Sequence, residues 1–309
     1  MIAEQFTLPD RPNVCDAADM SPMPFPKRPL ASAVHVAMKA VLVAIVITMT
    51  ALPVPAANAA NPGAVPFDPA NFGDPATGAN KWLPLKPGYQ SVREGSLNRG
   101  HRRLTHRRVF TVTDVSKEVN GVRSVLVLDQ DFDGGELAEQ AIDFLAEDRV
   151  GNVWYFGSYT EAYEGGQFVN ANDAWLAGVR GARPGILMLA APKVGSPKYT
   201  QAYVPGEGSA TAKVAKTGVS KCVPYKCYTD VLMIEEGGEN VFYAPGVGAI
   251  KTEPRHSGGE NETEELLNVI QLSGPGLAEL SAEALQLDEH ARSTSKRVFG
   301  GTSLAKRLA

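Results

Sequence analysis

The sequence has 309 residues, of which 44% are hydrophobic and 21% are charged, and its formal net charge at pH 7 is −4. This composition is typical of a globular protein with a substantial core, and it excludes extensive disorder. A small negative charge on a chain of this length also argues against nucleic acid as the main partner.

Residues 1–59 have the composition of a signal peptide with an extended N-terminal region. Basic residues precede the uncharged run at 40–52, AVLVAIVITMTAL, and small residues follow it up to Ala59. The run has about thirteen residues, whereas a membrane-spanning helix needs roughly twenty. We therefore expect cleavage after Ala59, export to the periplasm or beyond the cell, and no permanent membrane anchor.

The rest of the chain is predicted to form one β domain with extensions at both ends. Residues 60–80 are rich in Pro, Gly and Asn and indicate an irregular arm. In residues 81–273, segments rich in β-branched and aromatic residues alternate with turn signals, which predicts an antiparallel meander forming a curved sheet or half-barrel. Residues 274–309 indicate a short helix, GLAELSAEALQLDEHARS, followed by a loose basic tail.

A basic segment, RGHRRLTHRR at 99–108, lies early in the β domain. Strand alternation would direct about half of its charges to each face, so at least one face must be solvated or partnered. The segment is interpreted as an outward-facing charged strand, or as a surface for an anionic partner such as phosphorylated lipid or an acidic protein. His101 and His106 share no face of one strand, so the pair is not expected to ligate a metal.

The segment DQDFDGGELAEQ, at 129–140, resembles a calcium loop. Asp129, Asp131 and Asp133 take the first three ligand positions and Gly134 follows, but Gln140 occupies the position that requires a bidentate carboxylate. The preceding residues form a strand pattern and not an amphipathic helix. We therefore predict a hairpin with an Asp-Gly-Gly corner and no metal site.

The segment that follows, ELAEQAIDFLAED at 136–148, fits either a helix or a strand by periodicity. Aromatic residues are concentrated in NVWYFGSY, at 152–159, and recur in later segments. Such residues usually form the core of a sheet, but a concave face could hold an apolar ligand. The residues predicted to bind a lipid or similar amphiphile are Trp154, Tyr155 and Trp175 for its apolar part and Arg102, Arg103, Arg107 and Arg108 for an anionic head.

The predicted mature chain contains two cysteines, Cys222 and Cys227, separated by VPYK. A hairpin turn with Pro224 at its second position would bring them together, and an oxidising compartment favours their pairing. We predict a structural disulfide, with free thiols and a metal or redox centre as alternatives. No local motif for a nucleophilic, zinc-dependent or nucleotide-binding enzyme is found, and no cofactor is expected.

Three motifs resemble, in order, those of a widespread family of uncharacterised exported bacterial β-rich domains: KWLPLKPG, GNVWYFG and YAPGVGAIKTE. The resemblance covers residues 81–253. It implies a β-rich envelope protein, loosely similar to the half-barrels that carry lipoproteins, and it favours the strand for residues 136–148. This sequence departs from the family pattern at CVPYKC, where a plain Pro-Tyr-Gly turn is usual, and in its C-terminal helix and tail.

The leading functional hypothesis is an exported, non-catalytic envelope or secreted protein that binds a lipid-like ligand. One alternative is a hydrolase with a dispersed active site, and another is a structural or adhesive surface protein that uses the basic segment. Buried, convergent polar groups with shifted pKa values would favour the enzyme, and an open apolar groove would favour the binding protein.

Overall fold

The computed structural model describes residues 66–75, 78–99, 101–256 and 261–308. The predicted signal peptide, 1–59, lies outside the described residues. The elements in chain order are β1 (Tyr89–Arg99), β2 (Arg102–Val119), β3 (Val122–Asp133), β4 (Glu136–Glu147), β5 (Val153–Glu164), β6 (Gln167–Leu176), β7 (Arg183–Met188), β8 (Tyr199–Val204), β9 (Gly208–Cys222), β10 (Cys227–Glu236), β11 (Glu239–Ala244), β12 (Gly248–Pro254), β13 (Asn261–Gln271), α1 (Gly274–Thr294), α2 (Lys296–Phe299) and β14 (Lys306–Arg307).

The described strands form one antiparallel sheet that closes into a barrel of twelve strands. Strand β1 closes the ring because it pairs with β13 on one side and with β2 on the other, while β6 and β14 pair outside the ring. The predicted antiparallel β fold with a short C-terminal helix is confirmed, but the sheet closes further than the predicted curved sheet or half-barrel. Gly95 contributes to closure, since a Cβ there would collide with the carbonyl oxygen of Thr263 on β13.

The turn between β3 and β4 confirms the predicted hairpin. Gly134 and Gly135 have φ values of 62° and 90°, a conformation that side chains with a Cβ rarely adopt. The segment whose periodicity was ambiguous forms strand β4. Its residues from Gln140 to Glu147 are all buried, because the outer face of this strand is covered as well as the inner one.

Helix α1 covers the outer face of the sheet from β2 to β5. Ala284, Leu287 and Ala291 are buried beneath it. The Lys117 ammonium, also buried there, donates hydrogen bonds to Asp288 Oδ1 and to the Ser303 carbonyl oxygen, both at 2.6 Å. The second oxygen of Asp288 accepts a hydrogen bond from the Ala305 amide at 2.8 Å. This buried pair therefore satisfies both of its charged groups.

The C-terminal tail packs against the barrel, so the prediction of a loose tail was wrong. Phe299 is fully buried, with its ring 6.0 Å from that of Phe144 and 5.7 Å from that of Tyr159. Strand β14 then pairs with β2. The basic residues of this segment suggested a loose tail. The buried ring of Phe299, however, holds the segment against the barrel.

Cys222 and Cys227 lie opposite each other at the turn between β9 and β10, with their Cα atoms 3.9 Å apart. Their sulfur atoms are joined, which confirms the predicted disulfide.

Near the N-terminal end of the described chain, the predicted arm contains a short 3-10 helix, Pro69–Asn71. None of the helices in the described ranges has the length and apolar character to span a membrane.

Candidate functional site in the barrel interior

Charged residues occupy alternate positions of several strands and face the inside of the barrel. In β2, His106 and Arg108 are buried, whereas Arg107 between them has 52% of its side chain exposed. This is the alternation expected of a strand with one solvated face. We define the interior cluster as four cations, Arg93, Arg99, His106 and Arg108, and eight carboxyl groups, Asp129, Asp131, Asp133, Glu139, Glu236, Glu239, Glu262 and Glu264.

Interactions between distant strands show that the cluster lies inside the ring. Arg108 of β2 contacts Asp129 of β3 and also approaches Glu264 of β13, with Nη1 and Oε1 at 3.8 Å. Strands β2 and β13 are separated by β1 in the ring order. Burial raises the pKa of Glu236 on β10, and the same guanidinium opposes that rise through its charge. Only a position inside the barrel brings one charge close to all of these strands.

Two arginines in the cluster have matched partners. Arg93 Nε donates to Glu264 Oε2 at 2.5 Å, and Arg108 Nε donates to both oxygens of Asp129 at 2.9 and 3.0 Å. Burial alone would raise the pKa of Glu264, but Arg93, His106 and Arg108 hold that pKa well below its usual range. These three cations thus favour the ionised form of Glu264 although it is fully buried.

His106 stands between several carboxylates. Its Nδ1 lies 2.9 Å from Asp133 Oδ1, and Arg99 donates to the other oxygen of Asp133 at 3.1 Å. Its Nε2 faces Glu262 Oε1 at 3.1 Å and Glu264 Oε1 at 3.4 Å. Burial lowers the pKa of His106, but the carboxylates of Asp133, Glu262 and Glu264 outweigh burial and raise it. These carboxylates thus favour the protonated, cationic form of the imidazole.

The remaining carboxyl groups are not matched in this way. Burial, aided by Glu262 and Glu264, raises the pKa of Glu239 to about 9, and burial next to Asp173 raises that of Glu139 to about 7. Burial also raises the pKa of three further members, Asp131, Glu236 and Glu262. Within the described part of the chain, the following cluster atoms are buried without a hydrogen-bond partner: His106 Nε2, Asp131 Oδ1, Glu239 Oε2, Glu262 Oε1 and Glu264 Oε1.

The predicted aromatic ligand residues lie on two faces of the sheet. Trp154 faces outward, packs against Phe67 and Phe72 of the arm, and donates through Nε1 to Asp148 Oδ2 at 2.8 Å. Tyr155 and Trp175 meet edge to face, with ring centroids 5.0 Å apart. All three aromatic side chains are at least 90% buried. The structure therefore brings together Tyr155 and Trp175 but separates them from Trp154.

The predicted arginines are divided as well. Arg102, Arg103 and Arg107 are exposed near the turn between β1 and β2, whereas Arg108 is buried against Asp129. His101 lies in that turn, away from His106. A role of these arginines and aromatic residues in binding an amphiphile stays a prediction.

Sequence reasoning did not identify the interior cluster and expected no metal ligands. A usable signal was present, because Asp129, Asp131 and Asp133 occupy every second position of a strand, as do Glu262 and Glu264. Carboxylates with a period of two share one face of a sheet. The sequence does not predict that the barrel closes, which places β13 beside β1 and brings its side chains close to those of β2.

Comparisons of this chain with protein-family models, with curated proteins and with solved structures found no match.

Proposed function

We propose that this chain is an exported binding protein that holds a cationic ligand inside its barrel. The observation that carries the proposal is the charge balance of the interior cluster, in which eight carboxyl groups face four cations. Buried carboxylates without counter-charges are costly, so they either take up protons or acquire a cation. A cationic ligand would supply the missing positive charge and use the oxygen atoms that have no partner.

Export is supported by the disulfide between Cys222 and Cys227, since such bonds persist mainly in oxidising compartments. It also agrees with the signal peptide that the sequence predicts in residues 1–59.

The chemistry of the cluster favours a cation over the lipid-like ligand of the sequence hypothesis. Arg108, the one buried arginine of the predicted head-group site, is already held by Asp129. An anionic head would have to compete with that carboxylate and with the neighbouring Asp131. A cation meets no such competition from carboxylates.

A hydrolase is the second candidate, because the interior contains the convergent buried groups with shifted pKa values that favour an enzyme. Glu139, whose pKa is raised to about 7, could accept and return a proton near neutral pH. This proposal requires a substrate that reaches Glu139, and turnover is its test.

The experiment is a calorimetric titration of the tag-free protein, first freed of metals by a chelator, with three probes: putrescine, Zn²⁺ and dodecyl phosphate. We expect saturable binding of at least one of the two cations. Glu239→Gln should weaken that binding by about threefold or more, because it removes a carboxyl group that can release its proton and become negatively charged when a cation binds. Glu118→Gln, which removes an exposed carboxylate of β2, is the matched control and should leave the affinity unchanged.

Other outcomes would redirect the assignment. Failure of both cations to bind, together with a saturable change in tryptophan fluorescence on titration with dodecyl phosphate, would contradict the cation proposal and favour the lipid-like ligand. Hydrolysis of a chromogenic ester that Glu139→Gln abolishes would favour the enzyme.

A further inference from the structure

We propose that His106, Glu262 and Glu264 bind a divalent first-row transition metal ion, with Asp131 as a fourth ligand. This inference rests on the proposed function, because it names the cation and its position in the interior cluster. His106, Glu262 and Glu264 each offer one ligand atom, and these three atoms all lie within 4.8 Å of one another. They come from β2 and β13, so closure of the barrel assembles the site.

The spacing of the ligand atoms fits a small ion. In a tetrahedral site with metal–ligand distances of about 2.0–2.1 Å, neighbouring ligand atoms are roughly 3.3 Å apart. His106 Nε2 lies 3.1 Å from Glu262 Oε1 and 3.4 Å from Glu264 Oε1. Asp131 Oδ1 is 3.9 Å from the same nitrogen but lies outside the three-residue group, so it would have to move towards the other ligand atoms to join them.

All four of these atoms are buried and lack a hydrogen-bond partner among the described residues. His106 is 3% exposed and Glu264 is fully buried, so water outside the barrel does not solvate them. Buried polar atoms are normally satisfied, and a group of four that is not requires a ligand or a proton to explain it. These atoms have charged neighbours in one another but no aligned hydrogen bond, which supports the site beyond the clustering of acidic residues.

Asp133 is a positioning residue for His106. Its Oδ1 accepts from Nδ1, which directs Nε2 towards Glu262 and Glu264. Histidines that bind metals usually donate their other ring nitrogen to a carboxylate or carbonyl group, which fixes the tautomer and the ring orientation. Arg99, bonded to the second oxygen of Asp133, holds that carboxylate in turn. The ion would take the place of the proton on Nε2.

The two buried arginines leave the ligand atoms available. Arg93 binds Oε2 of Glu264 and leaves Oε1 directed at the site. Arg108 comes within 3.8 Å of that Oε1 and within 3.7 Å of Asp131 Oδ1, which would oppose a cation. Its charge is matched by Asp129, however, to which it forms a bidentate pair. The carboxylates of Glu262 and Asp131 are therefore in excess over the local cations.

The ligand set indicates the class of ion. One imidazole nitrogen with carboxylate oxygens suits Zn²⁺ and its first-row neighbours, whereas Ca²⁺ and Mg²⁺ prefer six or more oxygens or several retained waters. Zn²⁺ is the probe for affinity, and Co²⁺ is the probe for geometry because its visible absorption reports the ligand arrangement.

The test is calorimetric titration of the chelator-treated, tag-free protein with Zn²⁺ and, separately, with Ca²⁺. We expect one Zn²⁺ per chain and binding of Ca²⁺ at least about tenfold weaker. Glu262→Gln should weaken Zn²⁺ binding by about tenfold or more, and His106→Gln should do so as well. Glu262→Gln is the decisive variant because Glu262 forms no buried pair with any arginine in the described ranges, so the fold should survive its change. Glu118→Gln serves again as the control.

Asp133→Asn should change the visible absorption of the Co²⁺ complex as well as weaken binding, since it alters the orientation of His106. A purely structural role of Asp133 would change stability and leave the spectrum as it is.

Zn²⁺ binding that survives both Glu262→Gln and His106→Gln would overturn the site, and so would a preference for Ca²⁺. If Zn²⁺ does not bind but putrescine does, the metal inference fails and the proposed function stands. If neither binds, both fail.

Discussion

Strand β2 contributes buried cations to two clusters: Lys117 beneath helix α1, and His106 and Arg108 in the barrel interior. The cluster beneath the helix is balanced, because its ammonium and its carboxylate bond to each other, the ammonium also donates to a backbone carbonyl oxygen, and the carboxylate also accepts from a backbone amide. The interior cluster has twice as many carboxyl groups as cations, and several of its polar atoms have no partner within the described residues. The first arrangement is complete without a ligand, whereas the second is not.

Buried charges therefore have different consequences for stability in these two clusters. A buried ion pair with satisfied hydrogen bonds fixes the position of a helix, and removal of either charge is destabilising. A buried set of like charges costs stability and persists in a protein only if something else requires it. The following predictions test whether the two clusters differ in this way, with stability measured by urea unfolding in the presence of a chelator.

The largest effect is expected beneath the helix. Lys117→Met should lower the free energy of unfolding by about 3–5 kcal/mol, because Asp288 stays buried without its cation. Lys216→Met on the exposed face of β9 is the matched control and should have little effect. Equal, small losses in the two variants would mean that the balanced cluster contributes no more than a surface charge.

An intermediate effect should separate two neighbours on β13. Glu264→Gln should lower the free energy of unfolding by about 1.5–3 kcal/mol, because it weakens a charged hydrogen bond with Arg93. Glu262→Gln should cost less than half as much or should stabilise the protein, because burial and Glu264 raise the pKa of Glu262. If both variants lose the same stability at pH 7.5, the interior cluster does not divide into matched and unmatched groups.

The smallest effect, taken per pH unit, concerns the pH dependence of stability. The pKa of Glu239 is raised from 4.5 to about 9 in the folded protein. Between these values the folded state keeps a proton that the unfolded state has lost, so stability should fall as pH rises from 6 to 9. One such proton gives a slope of at most about 1.4 kcal/mol per pH unit.

Glu239→Gln should reduce this slope, because glutamine does not titrate. His106, whose pKa is also raised, changes stability in the same direction and remains in the variant. Glu118→Gln should keep the slope of the unchanged protein. A slope that is identical in all three proteins would show that Glu239 does not hold its proton in the folded state.

Local features of the fold could be predicted from the sequence because they depend on neighbouring residues. The Asp-Gly-Gly corner after Asp133 and the turn between Cys222 and Cys227 are examples, since glycine and proline determine the local backbone. The strand between Glu136 and Glu147 was not determined by its own periodicity and needed the family resemblance to favour it. Its outer face is apolar because helix α1 covers it, and local sequence does not show that cover.

The site could not be predicted in the same way. His106 is 27 residues from Asp133 and 156 or more from its partners on β13, and it appeared in the sequence only as one of several basic residues. The alternation of side chains along a strand correctly predicted that the basic segment places charges on both faces of the sheet. It could not predict that carboxylates would surround the charges on the inner face. That information lies in the register by which β1 pairs with both β2 and β13.

The pairing of β1 with β13 also sets the order in which this chain can fold. Arg93 and Glu264, which meet across that seam, are 171 residues apart, and so are Lys117 and Asp288. Hairpins such as β3–β4 join residues that are close in sequence, whereas the second edge of β1 finds its partner only in β13, Asn261–Gln271. Contacts of such separation form slowly. Strand β1 therefore keeps one unpaired edge until β13 joins it. The interior site, which contains residues of β13, forms late in folding.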